Sequence, residues 1–206
     1  MEAKEEVKPG PPTAARRATP YNLTLAKVIR DVIAPGGVGV ECGVFKGEFS
    51  LALLEELEPR TLYLVDPWYL LAKEWHWGEG DRSTISALCD ILRTFETELV
   101  ARRVVLRIGD DVETLGQMPA EHLDWAYLDS SHQYGPTVRE LAALRKVVKP
   151  GGIVSGHDWQ PDPDHRHHGV CKAVREAVDR GEFEMVLVDE PTIQWAVRDP
   201  AARAPS

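Results

Sequence analysis

No apolar run in this 206-residue chain approaches the roughly 20 residues that a membrane-spanning helix requires. Positive charge is also in short supply: 33 Asp and Glu against 24 Lys and Arg leave a formal charge of −9 with histidines neutral. Recognition of a phosphate backbone draws on a basic patch, so neither a nucleic-acid nor a membrane partner is expected. Cysteine is scarce. Cys42, Cys89 and Cys171 are odd in number, far apart and without a CxxC pair, which argues against a zinc ribbon or a disulfide framework. Buried free thiols in a reducing compartment are expected instead. Met1 to Pro20 lacks both the apolar stretch of a signal peptide and any periodic apolar face. It is expected to be a flexible tail on a cytoplasmic protein, and residues 199–206 a second tail.

What is present is an ordinary globular composition, 43% hydrophobic and 28% charged, on a length suited to one core. Helical spacing of apolar residues predicts helices over 21–34, 47–57, 83–99, 138–148 and 169–178. Short apolar runs predict strands over 38–42, 61–65, 103–108, 123–128, 153–155, 184–188 and 193–197. Strands and helices alternate to about residue 180, which implies a parallel sheet with helices on both faces. The last two strands are joined only by a tight turn at Pro191, so they must be antiparallel. A single domain over 21–198 is expected.

Ligands of an open α/β sheet bind beyond the carboxyl ends of its strands. Those ends read Glu41-Cys42-Gly43, Asp66, Gly109-Asp110, Asp129 and His157-Asp158. Exposed acids often close strands for solubility alone, but five polar ends together point to a polar ligand. The first turn, Glu41 to Gly47, carries no GxGxxG, and Phe45 and Lys46 stand where a pyrophosphate cradle needs small residues. A nucleoside is therefore favoured over a dinucleotide. Asp66, at the next strand end, is placed to accept hydrogen bonds from a ribose diol. In Asp129-Ser130-Ser131-His132, a carboxylate and an imidazole three residues on can face one pocket. His132 can serve as a base near neutral pH.

The segments VECGVFKG, LYLVDPW, IGDD, LDSSHQY and KPGGIVSGHDW, in this order, resemble class I S-adenosylmethionine-dependent methyltransferases. The likeness runs from about Val38 to Arg198. It is nearest the small-molecule O-methyltransferase branch that includes macrocin-type sugar methyltransferases. Phe45 stands where the family has a middle glycine. The resemblance implies a Rossmann-like fold, a mostly parallel seven-stranded sheet with an antiparallel final strand. It implies that Glu41, Gly43 and Gly47 line the methionine part of S-adenosylmethionine, that Asp66 holds the ribose, and that Gly109 and Asp110 frame the adenine. It also implies Asp129 beside the cofactor and as a ligand of magnesium or another divalent cation with Asp158, His157 being a possible third ligand and rival base. His157 is a departure, because imidazole suits zinc- or iron-like sites better than magnesium.

Two further segments have a bland and a functional reading. Asp162 to His168 is rich in Asp and His; such a loop is more often solvated than functional, and its functional form would be a wall on the acceptor side. Trp68 to Trp77 holds three Trp and reads either as a helix packing indoles into the core or as a lid over an apolar acceptor pocket. The function expected is methyl transfer to a hydroxyl of a small molecule, a sugar or polyhydroxylated natural product, with homo-oligomerisation left open. A nicotinamide-dependent oxidoreductase, a non-catalytic nucleoside-binding protein and a metal-dependent hydrolase are the alternatives. The acceptor is not legible.

Overall fold

A computed structural model describes residues 17–70 and 81–200. The expected N-terminal tail up to residue 16, the segment 71–80 of the proposed lid and residues 201–206 lie outside them.

The chain runs α1 (Pro20–Arg30), β1 (Val38–Cys42), α2 (Glu48–Glu56), β2 (Thr61–Asp66), α3 (Asp81–Thr94), α4 (Glu96–Val100), β3 (Val104–Ile108), α5 (Asp111–Gly116), β4 (Leu123–Leu128), α6 (Tyr134–Val147), β5 (Val148–Gly156), α7 (His168–Asp179), β6 (Glu184–Asp189) and β7 (Gln194–Arg198). A single turn of 3-10 helix follows β2 at Trp68–Leu70. The first helix starts where its chemistry dictates. Thr19 caps it by accepting from the Asn22 amide, and Pro20 occupies the first turn, where its missing N–H costs nothing.

The seven strands form one sheet in the order β3-β2-β1-β4-β5-β7-β6. The pairs β3/β2, β2/β1, β1/β4 and β4/β5 are parallel, while β7 runs antiparallel to both neighbours. This is the expected Rossmann-like arrangement with its antiparallel final strand. β1 lies at the centre and is buried along its whole length, as strands covered by helices on both faces are. One core packs Leu141 and Leu144 of α6 and Val170 and Val174 of α7 against the sheet. The other packs Ile29 of α1, Leu53 and Leu57 around α2, and Ile91 and Phe95 of the α3–α4 region against the opposite face. Cys42 and Cys171 are buried free thiols, and Cys89 is half-buried.

Several local expectations shift. The helix expected over 21–34 ends at Arg30. The helix over 83–99 divides at Phe95, whose ring is buried in the second core. α6 begins at Tyr134 rather than Val138, so it starts directly behind the Asp129–His132 turn. β5 begins at Val148, not Ile153, because Val148 pairs with Leu123 and a register shift absorbs Pro150 and its glycines. Backbone pairing also reaches Asp199, which exchanges hydrogen bonds with Gly151 and Gly152 and is fully buried. Among the described residues no helix is long and apolar enough to cross a membrane.

Candidate active site

The residue after each of β1, β3, β4 and β5 donates its amide to a carbonyl at the end of the neighbouring strand; the residue after β2 is Pro67, which has no N–H. Gly109 binds the Asp66 carbonyl, Gly43 that of Val65, Asp129 that of Cys42 and His157 that of Leu128, at 2.8–3.1 Å. Five strand ends are thereby drawn into one continuous edge. Gly43 is the seam of that edge. With φ +87°, a conformation only glycine adopts freely, it lies so close to the next turn that a Cβ would meet the Asp129 carbonyl oxygen at 2.1 Å.

On one side of the seam, Asp66 organises the turn after β1. Its Oδ2 accepts from the amides of Val44 and Phe45, each at 2.9 Å, and its Oδ1 from Trp68 at 2.7 Å. A carboxylate has about four acceptor positions, so one remains on this 7% exposed side chain. Phe45 itself has φ +49°, so the backbone keeps the left-handed shape favoured by a glycine although a phenylalanine stands there. Its carbonyl receives the indole N–H of Trp68, which is fully buried; this Trp therefore packs in the core, while Trp75 and Trp77 fall outside the described residues.

The other residues assigned to the cofactor divide. Glu41 is 1% exposed, bonded by the Ser50 hydroxyl of α2, and burial pushes its carboxyl well above the usual range. It ties β1 to α2 from beneath the edge. Gly47, with φ +70° ahead of α2, is turned toward α3, where a Cβ would strike Ile91 at 2.3 Å. Gly109 and Asp110 lie at the edge, and the Asp110 side chain caps α5 by accepting from the Glu113 amide.

On the far side of the seam, five ionisable side chains meet. Asp158 is the hub: its Oδ2 contacts His132 Nδ1, and its Oδ1 lies 2.9 Å from His167 Nδ1. His132 Nε2 points back toward Asp129 Oδ1 at 3.7 Å. His157 Nδ1 stands 3.9 Å from Asp129 and 3.7 Å from Asp158, while its Nε2 is buried without a hydrogen-bond partner in the protein. His132 and Asp158 have φ of +58° and +60°, unfavourable conformations concentrated where two turns converge. Burial, then the neighbouring His167, His157 and Arg166, lowers His132 to a pKa of about 4, so its imidazole is neutral at pH 7. His157 and His167 are lowered as well, chiefly by burial. Asp129, recessed although a third of its side chain still meets solvent, is pushed up to about 7.

Beneath this group, Ser130 donates to Glu140 of α6 at 2.8 Å. Burial and the nearby Asp111 push Glu140 to about 8. A narrow pocket runs between these groups, lined by Asp129, His132, Glu140, His157, Asp158 and Trp195. Sequence reasoning had set His167 aside in a solvated loop and had not singled out Glu140. Asp162, Asp164 and His165 of that loop are exposed, while His168 is half-buried with its Nδ1 against the Gln160 carbonyl. The spacing of Asp158 and His167 was the available signal, but only the left-handed Asp158 backbone turns the two toward each other.

Residues 40–159 match the model of a family described as a methyltransferase domain. No curated protein matches the chain in sequence. Among solved structures, a candidate S-adenosyl-L-methionine-dependent methyltransferase from Methanococcus maripaludis superposes with a TM-score of 0.59 at 13% identity, over 90% of this chain and 87% of that one. An O-methyltransferase from Bacillus cereus, solved with SAH, gives 0.58 at 14%, over 91% and 84%. Spermidine synthase from Thermotoga maritima gives 0.54 at 15%, over 88% of this chain and 59% of that one. At such identities these likenesses are of fold, and the last shows that one fold carries differently named activities.

Proposed function

The chain belongs to the methyltransferase-domain family, and from this premise we propose that it is an S-adenosylmethionine-dependent enzyme that methylates a hydroxyl oxygen of a small molecule, a sugar or polyhydroxylated natural product. The observation that carries the proposal is the seam at Gly43. It sets a nucleoside-type edge directly against a histidine–aspartate pocket.

The residues present fit the cofactor. Asp66 has one acceptor position left for a ribose hydroxyl, the Gly43 backbone is bare, and the Gly109–Asp110 turn stands at the adjacent strand end. Bound there, S-adenosylmethionine supplies an electrophilic methyl group on a sulfonium sulfur. The protein's task is then to hold an acceptor oxygen in line and to remove its proton, and positioning of this kind supplies much of the rate. His132 is the base. Asp158 fixes its Nδ1, which leaves Nε2 as the nitrogen that takes the proton, on the side of Asp129. This is the orienting logic of a carboxylate behind a catalytic imidazole. His157 is the rival base, but its free nitrogen is buried.

Magnesium, which the resemblance implies at Asp129, His157 and Asp158, fits this donor set poorly. It favours oxygen ligands and retained waters, and an imidazole occupies one of the three positions. No step of the reaction is routed through it.

The test is transfer of labelled methyl from S-adenosylmethionine to a panel of sugars, polyhydroxylated aromatics, amines and thiols. Label on hydroxyl oxygen supports the proposal; label on nitrogen or sulfur alone contradicts it.

A further inference from the structure

Behind the turn that carries His132 lies a buried polar link that proton removal does not use. Asp111 opens α5 directly after Asp110, on the turn assigned to the adenine. Glu140 stands on α6 and is 3% exposed. Ser130 follows Asp129 and precedes His132 by two residues. These three side chains come from separate segments and meet at one place. The Ser130 hydroxyl donates to Glu140 Oε1 at 2.8 Å, and the carboxyl groups of Glu140 and Asp111 hydrogen-bond each other. Asp111 Oδ2 is buried and takes no hydrogen bond from a backbone amide or a hydroxyl. The link is not made along the sheet, because β2 and β1 stand between β3 and β4. It joins the turns after two strands that do not pair.

Two ionised carboxyl groups in contact repel, so such a pair holds one proton between them. Burial, then Asp111, keeps that proton on Glu140 up to a pH of about 8. Asp111 is raised too, chiefly by burial. A protonated Glu140 donates to Asp111 while it accepts from Ser130, so the link is complete at neutral pH. Packing gives no reason for it. Leu115 of α5 and Leu141 and Leu144 of α6 share the first core, and the helices meet there through apolar groups. Buried ionisable groups are often replaceable by apolar residues of similar volume without loss of stability. An acid at 140 therefore does something that a leucine would not.

We propose that Glu140 is a positioning residue: by joining Asp111 to Ser130 it holds the turn that carries His132 in register with the turn assigned to the adenine. The proposal rests on the function above for the roles of His132 and of Gly109 and Asp110. Glu140 acts through Ser130 on its neighbours Asp129 and His132, and needs no contact with the acceptor. One buried acid thereby sets the distance between the two ends of the site, where the nucleoside is held and where the proton is removed.

The test uses the full chain and two readouts. Hydrogen exchange of the amides of residues 129–133, measured without ligand, should speed up about ten-fold in Glu140→Leu and in Ser130→Ala, the factor expected for one lost hydrogen bond to an acid. In Glu140→Gln it should return most of the way to wild type, because the Gln amide donates to Asp111 and accepts from Ser130. Methyl transfer to an acceptor found by the screen, with sites counted by S-adenosylhomocysteine titration, is the second readout. Per site, Glu140→Leu should lower kcat at least about ten-fold, as a small misplacement of a catalytic group does, with KM for S-adenosylmethionine unchanged and kcat largely recovered in Glu140→Gln. Should Glu140→Leu fail to fold, Ser130→Ala, which leaves both acids in place, gives the answer. Wild-type exchange at 129–133 in Ser130→Ala would overturn the proposal. So would a Glu140→Gln no nearer wild type than Glu140→Leu, or a Glu140→Leu that loses sites but keeps its kcat per site. S-adenosylhomocysteine failing to bind any form would instead overturn the methyltransferase reading, and exchange in the free protein would still decide whether Glu140 holds the turn.

Discussion

Replacing Asp66 by Asn separates two tasks that one carboxylate performs. Three backbone amides converge on it, from Val44 and Phe45 on Oδ2 and from Trp68 on Oδ1. An Asn amide has only one acceptor oxygen. If that oxygen faces Val44 and Phe45, its NH2 group confronts the Trp68 N–H; turned round, it orphans the other two. The better orientation leaves one buried backbone donor unpaired, so Asp66→Asn should destabilise the fold by about 1–3 kcal/mol. For a domain of about this size, each kcal/mol lowers Tm by roughly 2–4 °C. The ribose loses its partner as well, because the spare acceptor position is on Oδ1. Loss of one hydrogen bond to a charged group, about 1.5–3 kcal/mol, corresponds to roughly 10- to 200-fold in affinity for S-adenosylhomocysteine. Calorimetric titration well below the lowered Tm reads the second effect, and thermal unfolding reads the first. A variant that is destabilised yet binds S-adenosylhomocysteine as tightly as wild type would leave Asp66 as a turn-builder only and refute its cofactor role.

Other outcomes follow from the same geometry. His132→Ala should lower kcat by about 10²–10⁴-fold, the usual loss for a general base, with cofactor affinity unchanged; near-wild-type turnover on an acceptor found by the methyl-transfer screen would remove it as base. Gly43→Ala should fold poorly or lose cofactor binding, since its Cβ would lie 2.1 Å from the Asp129 carbonyl oxygen; circular dichroism with a titration would expose a silent substitution. Glu140, raised to about 8, binds its proton more tightly folded than unfolded, so its contribution to stability declines as pH climbs from about 4.5 to about 8 and is flat above. Glu140→Gln should therefore flatten that decline, as read by denaturant unfolding at pH 5 and pH 9; parallel curves for both proteins would count against a buried, proton-sharing Glu140.

Much of this molecule is legible in its sequence because the informative residues sit where the topology compels them to. β1 and β4 have the expected bounds, since short, mainly apolar runs between turn-formers are what buried strands of an α/β sheet require. The alignment of Asp66, Asp129 and Asp158 along one edge follows from parallel strands alone. What sequence could not supply was direction. Nothing in the order of residues says that Asp66 would be bound by the turn it faces, that Gly47 would turn to α3, or that Glu41 would pass beneath the edge to Ser50. α5, six residues long, is too short to declare a period. His167 was hidden for a different reason. Its neighbours Asp162, Asp164 and His165 are exposed, and composition averages over a loop in which one side chain turns inward.

In the proposed complex, S-adenosylmethionine lies across the seam at Gly43 with its sulfur toward the histidine–aspartate pocket. A crystal structure of the full chain with S-adenosylhomocysteine tests it most directly. The ribose is expected against Asp66, the adenine by Gly109 and Asp110, and the sulfur facing Asp129 and His132. A nucleoside seated elsewhere, or a sulfur turned away from that pocket, would contradict this placement.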